Sequence, residues 1–217
     1  MIKYNLLKQK KITRTLNRSS DKELNRTIAL KFEQEYFDGP RSQGYGGYYY
    51  DGRWQTIAKR IVKKWSLTDN SNLLDIGCAK GFLLQDLFNL NNKINLYGIE
   101  ISQYAIDNSD ECIRKKIIKA NCVSLPFENN FFDAVFAINT LHNLPVEDCK
   151  MAIKEIERIA PGKGFIQVDA YRTEQERELF MDWMLTAKTF NTPEGWRSIF
   201  KECGFTGKYY WTILEHE

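Results

Sequence analysis

Leu73-Leu74-Asp75-Ile76-Gly77-Cys78-Ala79-Lys80-Gly81 is the stretch on which the reading of this chain turns. The short apolar run at 72–76 (NLLDI) gives way to small residues, and 82–88 then places Phe82, Leu83 and Leu87 at helical spacing. That is a strand, a tight loop and a helix. The alternation continues outward from it. Strands are expected at 94–99 (INLYGI), 116–120, 132–138 (FDAVFAI), 164–170 (GFIQVDA) and 209–214 (YYWTIL). Between them, Ser102 is a helix N-cap with Ala105 and Ile106 facing inward. Residues 146–160 carry Met151, Ile153, Ile156 and Ile159 at helical spacing and stop at Pro161-Gly162. Helices are also expected at 174–187 and at 193–203, the latter ending at Gly204. Strands alternating with helices define an α/β fold: a doubly wound, mostly parallel sheet with helices on both faces. The nearly all-apolar 132–138 belongs mid-sheet, covered on both sides.

The 217 residues fit a single domain, with 71–217 as its core and 1–70 as a basic N-terminal segment, a tyrosine- and glycine-rich stretch and a helix around 59–65. Residues 36–50 (YFDGPRSQGYGGYYY) do not read as core. Glycine gives backbone freedom and tyrosine gives amphipathic area, so this is either a lid over a pocket or an irregular loop packed on the sheet. Hydrophobic residues at 43% and charged residues at 27% are ordinary globular values, and no apolar run reaches the length of a membrane span. The first residues lack the apolar segment of a secretory signal, so a cytoplasmic location is expected. Cys78, Cys112, Cys122, Cys149 and Cys203 are scattered, with only His142 and His216 as imidazoles, which argues against a disulfide framework or a metal site. A net charge of +3 is too small to call for nucleic acid, and Lys3, Lys8, Lys10, Lys11, Arg14 and Arg18 read as a solvated terminus or, alternatively, as a contact for an anionic partner.

Ligands of such sheets bind beyond the carboxyl ends of the strands. Asp75 ends the first strand and Glu100 the second, where a carboxylate can accept from two ribose hydroxyls. A dinucleotide fold would need GxGxxG for its pyrophosphate, but from Gly77 the next two glycine positions are Ala79 and Phe82. The phosphate-binding P-loop is absent as well.

The stretch Leu73 to Gly81 resembles the DxGxGxG signature of class I S-adenosylmethionine-dependent methyltransferases, and the resemblance runs on to Val168. Ala120-Asn121-Cys122-Val123-Ser124-Leu125-Pro126-Phe127 resembles their GDAxxLPF segment, and Phe131-Phe132-Asp133-Ala134-Val135 their FDxV strand. The resemblance implies S-adenosylmethionine as cofactor. Asp75 and the backbone of Gly77, Cys78, Ala79 and Gly81 would then serve the methionine portion, Glu100 the ribose, and Ile101 one face of the adenine. Asn121 and the Cys122 amide would read the adenine edge, and the Asn139 carbonyl would hold the methionine ammonium. Three departures stand out. Ala79 replaces a glycine, Asn121 replaces an aspartate, and the family's two closing strands are represented only by 209–214, leaving the far sheet edge open.

Transfer of a methyl group from a sulfonium is an in-line displacement that rests chiefly on alignment and exclusion of water. A base is needed only for an acceptor that must lose a proton, and His142, just past the fourth strand, is the first candidate. Asp169, at the end of the fifth strand, is the second, as a base, an orienting group or the ion-pair partner of Arg172. Arg53 is a candidate for the cofactor carboxylate, and Tyr45, Tyr49 and Arg172 for the acceptor. The fourth strand ends in NTLH, without the [DN]PP[YF] motif of DNA adenine methylation or a Pro-Cys nucleophile. The whole chain is similar to bacterial methyltransferases of surface-glycan and small-molecule pathways. That resemblance implies O-methylation of a sugar or related small polar acceptor, with N-methylation of a small molecule next. A cofactor-binding but inactive subunit is the alternative of another class. The acceptor atom and the oligomeric state are not written in the sequence.

Overall fold

The computed structural model describes residues 1–8, 12–14 and 21–216. Lys10, Lys11 and Arg18 of the basic segment lie outside them. In chain order the strands are β1 (Ile2–Lys3), β2 (Ile12–Arg14), β3 (Asn72–Ile76), β4 (Asn95–Glu100), β5 (Ile117–Lys119), β6 (Ala134–Ile138), β7 (Gly164–Asp169), β8 (Lys208–Thr212) and β9 (Leu214–His216). The helices are α1 (Lys22–Ala29), α2 (Gln34–Asp38), α3 (Gln55–Lys64), α4 (Phe82–Leu90), α5 (Gln103–Asp107), α6 (Glu111–Arg114), α7 (Val146–Ile159), α8 (Glu174–Trp183) and α9 (Pro193–Glu202).

A seven-stranded sheet runs β1-β8-β7-β6-β3-β4-β5, with neighbours paired in parallel. The chain fills one side of β3 with β4 and β5, then crosses to the other side with β6, β7 and β8. That reversal opens a crevice at the carboxyl ends of β3 and β6, where neighbouring strands send their chains to opposite sides. Both faces are covered, which is why β6 and β7 are apolar almost throughout. On one face α7 and α9 bring Ile153, Ile156, Trp196 and Phe200 onto Val135, Ile166 and Val168. On the other, α3 and α4 bring Ile61, Leu83 and Leu87 onto Leu73, Phe136 and Phe165.

Several elements differ from the sequence reading. The open sheet edge is completed by the N-terminus: Ile2 N–H donates to Gly207 O at 3.0 Å and Tyr4 N–H to Tyr209 O at 2.9 Å. The expected strand 209–214 is split, β8 staying in the main sheet while β9 pairs in parallel with β2 in a separate two-stranded sheet. The helix expected over 174–187 ends at Trp183. Within 36–50, a stretch that does not read as core, α2 places Phe37 in a small apolar cluster with Ala79 and Ala105.

Phe136 has no exposed surface, and its ring meets Trp65 at 4.9 Å and Phe165 at 6.2 Å. Phe136→Ala is therefore expected to cost about 3–5 kcal/mol of unfolding free energy, as large-to-small core changes do. Tyr49→Ala, at a residue 68% exposed, should stay within about 0.5 kcal/mol. Urea unfolding of both variants checks the pair.

Candidate active site

The loop after β3 is shaped by backbone that side chains fit poorly. Gly77 (φ +70°) and Gly81 (φ +72°) are left-handed, and a Cβ on Gly77 would lie 2.4 Å from the Thr140 side chain. Ala79 is left-handed too, at φ +51°, so the position where the family has glycine keeps the glycine-like conformation at some cost in strain.

Glu100 holds this loop in place. Its Oε2 accepts from Ala79 N–H at 2.8 Å, and its Oε1 from Ile101 N–H at 2.8 Å and Ser102 N–H at 2.9 Å. Burial pushes its carboxyl up, and the three amide donors pull against that rise. Asp75, 6% exposed, faces the same space. Burial and the nearby Glu100 push its carboxyl up to about 8, and no donor among the described residues reaches it. Two buried acids side by side, beneath a loop with no room for a Cβ at Gly77 or Gly81, fit a ligand that brings positive charge and hydroxyl donors.

The tyrosine-rich stretch covers this loop through contacts that sequence reading missed. Asp38, at the end of α2, accepts from Lys80 Nζ at 2.8 and 2.6 Å, from Tyr104 Oη at 2.6 Å and from Tyr48 N–H at 3.0 Å. Ser102 Oγ donates to Phe32 O at 2.5 Å, and the Tyr48 ring stacks on Phe82 at 4.8 Å. The one signal available was Lys80 itself: a lysine in a loop of small, buried residues needs a carboxylate partner.

The remaining strand ends surround the same crevice. Ile101 is 54% exposed, so it is not an ordinary buried aliphatic. Cys122 is buried, which pushes its thiol up to about 11. Asn121 is exposed, and its Oδ1 accepts from Val123 N–H at 3.2 Å. Asn139, left-handed at φ +55°, turns its carbonyl toward Asn143 Nδ2 at 3.3 Å.

His142 and Asp169 are brought together, both buried. His142 Nδ1 accepts from Asp169 N–H at 3.2 Å, so in the neutral ring Nε2 carries the proton, and it faces Asp169 Oδ2 at 3.6 Å. As placed, the ring offers an acceptor no lone pair. Burial raises the Asp169 carboxyl, against the pull of His142 and Thr212. The expected Asp169–Arg172 pair is corrected: Arg172 Nε donates to Glu176 Oε1 at 2.9 Å and its Nη2 pairs with Glu215 at 3.1 Å. Arg53 likewise pairs outward with Asp51 at 2.8 Å, and Tyr49 is exposed. Tyr45 is 42% exposed, its hydroxyl meeting Tyr36 Oη, and Tyr36 in turn meets Thr186. Thr186 Oγ1 donates to Asn143 Oδ1 at 2.9 Å. Among the described residues no group of three or more His, Cys, Asp or Glu is placed to hold a metal ion.

Comparison with known proteins agrees with this architecture. Residues 74–168 match the family model described as a methyltransferase domain. Residues 74–168 thus resemble a methyltransferase domain, and the sheet has the strand arrangement of the class I methyltransferase fold. Over 122 residues, 52% of this chain, it is 35% identical to the sterol 4-C-methyltransferase of Caenorhabditis elegans, covering 35% of that protein. Over 139 residues, 63% of this chain, it is 33% identical to the tRNA (carboxymethyluridine(34)-5-O)-methyltransferase of Arabidopsis thaliana, covering 32% of it. The chain thus spans about a third of the length of these two relatives. Among solved structures, the cyclase SpnF shares the fold at a TM-score of 0.57 and 18% identity, over 90% of this chain and 75% of that one. A chain from the complex with the Trm112 methyltransferase activator of Haloferax volcanii does so at 0.56 and 20%, over 70% of this chain and 68% of that one. A cyclase among the neighbours means that the fold by itself does not set the reaction.

The Asp75 carboxyl gives a pH signature. An unfolded aspartate ionises near 3.9, whereas the buried one holds its proton to about 8. The raised value contributes stability that is complete below the unfolded pKa and lost as pH rises through the folded one. Ligand-free protein should therefore lose stability between about pH 4 and 8, and Asp75→Asn should show a shallower loss. Chemical unfolding at several pH values measures the difference in slope; parallel slopes would mean that Asp75 ionises normally.

Proposed function

We propose that this protein transfers a methyl group from S-adenosylmethionine to a hydroxyl of a small, neutral, polar acceptor such as a sugar. The observation that carries the acceptor class is the run of uncharged polar groups Asn143, Thr186, Tyr36 and Tyr45 beside the buried Glu100. Hydroxyl and amide groups among aromatic rings suit a polyhydroxylated molecule, and none of these four side chains carries a charge that would select an amine. When bound, S-adenosylmethionine would supply a methyl group on its sulfonium: the acceptor oxygen takes the methyl in line, the sulfur keeps the bonding pair and leaves as a thioether, and the hydroxyl proton passes to solvent.

The residues of this chain bind and orient. Asp75 and the Gly77, Cys78, Ala79 and Gly81 backbone would hold the methionine portion, with the Asn139 carbonyl toward its ammonium. Glu100 would keep its amide donors and offer its remaining lone pairs to the ribose. Ile101 would lie on the adenine, with Asn121 and Cys122 at its edge. Residues 32–50, fastened by Asp38 to Lys80, exclude water from the crevice. The His142–Asp169 pair is a positioning pair: it joins the chain beyond β6 to the end of β7, and taking a proton from the acceptor would require the ring to turn out of its present bonds. The small acceptor is the partner, with no nucleic acid, and the reaction belongs in the cytoplasm.

Purified protein given S-adenosylmethionine and panels of neutral polyols, amines and sterols should form the demethylated cofactor with polyols. Turnover confined to amines or sterols, or absent throughout, overturns the acceptor class. Tyr36→Phe should lower kcat/KM for the acceptor about tenfold with an unchanged cofactor Kd, as loss of one hydrogen bond does. His142→Ala should lower the rate without changing the shape of the pH–rate profile between about pH 5 and 9, whereas loss of a basic limb would make His142 the base.

Cofactor binding should itself depend on pH. A cationic ligand favours ionised Asp75, so binding near neutral pH should release a proton and tighten as pH rises toward about 8. Calorimetry in buffers of different ionisation enthalpy reads the proton, and Asp75→Asn should abolish its release.

A further inference from the structure

The amino ends of the strands, opposite the crevice, form a second recess of about 270 Å³. Ser71 precedes β3, Asp133 precedes β6, Lys163 precedes β7 and Lys208 opens β8; Lys64 and Trp65, at the end of α3, close it. Its charge is unbalanced. Asp133 is its carboxylate, and both oxygens are engaged: Oδ1 by Lys163 Nζ at 3.2 Å and Oδ2 by Asn72 N–H at 3.0 Å. Lys208 Nζ lies over the Trp65 ring at 4.9 Å and Lys64 Nζ over the Tyr4 ring at 5.2 Å. Among the described residues neither ammonium has a carboxylate partner. Burial, and then the charge of Lys64, hold the Lys208 ammonium below its ordinary value, as expected for two cations facing one space. The wall is firm: Trp65 Nε1 donates to Lys163 O at 2.8 Å, so the indole that Lys208 covers is tied to the start of β7.

We propose that this recess binds a phosphate dianion, either free or as the phosphate of a small monoester, with Lys64 and Lys208 as its charge partners and Lys163 at its rim. Lysine is a point charge suited to phosphate, and the two like charges lose their mutual repulsion when a dianion sits between them. The volume exceeds that of a lone phosphate, which favours a monoester with a small organic body. A recess closed by an indole wall suits such a compact anion better than the backbone of a nucleic acid, which follows an extended groove or stripe.

The test is calorimetry on the whole chain near neutral pH at constant ionic strength, with inorganic phosphate, glycerol phosphate and an RNA oligonucleotide as separate probes. Saturable binding of phosphate or glycerol phosphate is expected, and the tighter of the two identifies the source. Lys208→Gln and Lys64→Gln should each weaken it at least about tenfold. S-adenosylmethionine affinity should be unchanged, because the crevice lies at the other end of the strands. Without a probe, Lys64→Gln should be no less heat-stable than wild type, since it relieves repulsion; a purely structural Lys64 would give a lower Tm. Lys64 is exposed, so this variant carries the test if Lys208→Gln does not fold. No saturable phosphate binding up to about 10 mM, equal binding by the variants, or preferential binding of the RNA with a salt slope of several phosphates would overturn the proposal.

Discussion

The carboxylate of Glu100 takes three backbone amides from two different parts of the chain, and the site is arranged around that fact. Ala79 belongs to the loop after β3, whereas Ile101 and Ser102 begin the turn into α5. One side chain therefore sets the distance between two strand ends that parallel pairing alone leaves adjustable. It also satisfies amides that burial would otherwise leave unpaired, at a cost of about 1–3 kcal/mol each. The strain of a left-handed Ala79 persists because its N–H is held in this way.

From that clamp the cover follows. Ser102, whose N–H is bound by Glu100, also caps α5 through its hydroxyl and reaches Phe32 O. Lys80, which follows Ala79 in the same loop, projects instead to Asp38, and Tyr104 on α5 meets the same carboxylate. Loop, cover and helix are thus joined through one buried acid, Glu100, and one exposed acid, Asp38. Opening residues 32–50 away from the crevice means separating Asp38 from Lys80, whose buried ammonium would lose its charge-assisted partner.

Much of this was legible in the sequence, for reasons that can be located. The loop from Asp75 to Gly81, the acid at Glu100 and the apolar strands around Phe136 and Ile166 are local patterns, and each announces itself within about ten residues. What stayed hidden depends on distant pairing. β1 is two residues long and has no periodicity to read, yet it closes the sheet through Tyr209. The break at Ile213 that sends β9 to β2 follows from a partner at the other end of the chain. Asp38 and Lys80 are 42 positions apart, and Arg172 found Glu176, one helical turn along, in place of Asp169. Charge type predicted that a partner was needed, but not which one.

A net charge of +3 conceals how the parallel sheet distributes its charges. At the carboxyl ends Asp75, Glu100 and Asp169 are buried, and Lys80, the cation of the loop itself, is committed to Asp38. At the amino ends Lys64, Lys163 and Lys208 share a recess with Asp133. Neither end matches its acids with bases, and neither imbalance is visible in composition. Burying a charge without a partner lowers stability, so a fold keeps such sites where something other than stability is served. An acidic crevice suits a ligand that brings positive charge, because its cost is offset only when such a ligand is present. The same reasoning applied to the opposite end, with the sign reversed, points to an anion, and the two ends are separated by the full length of the strands.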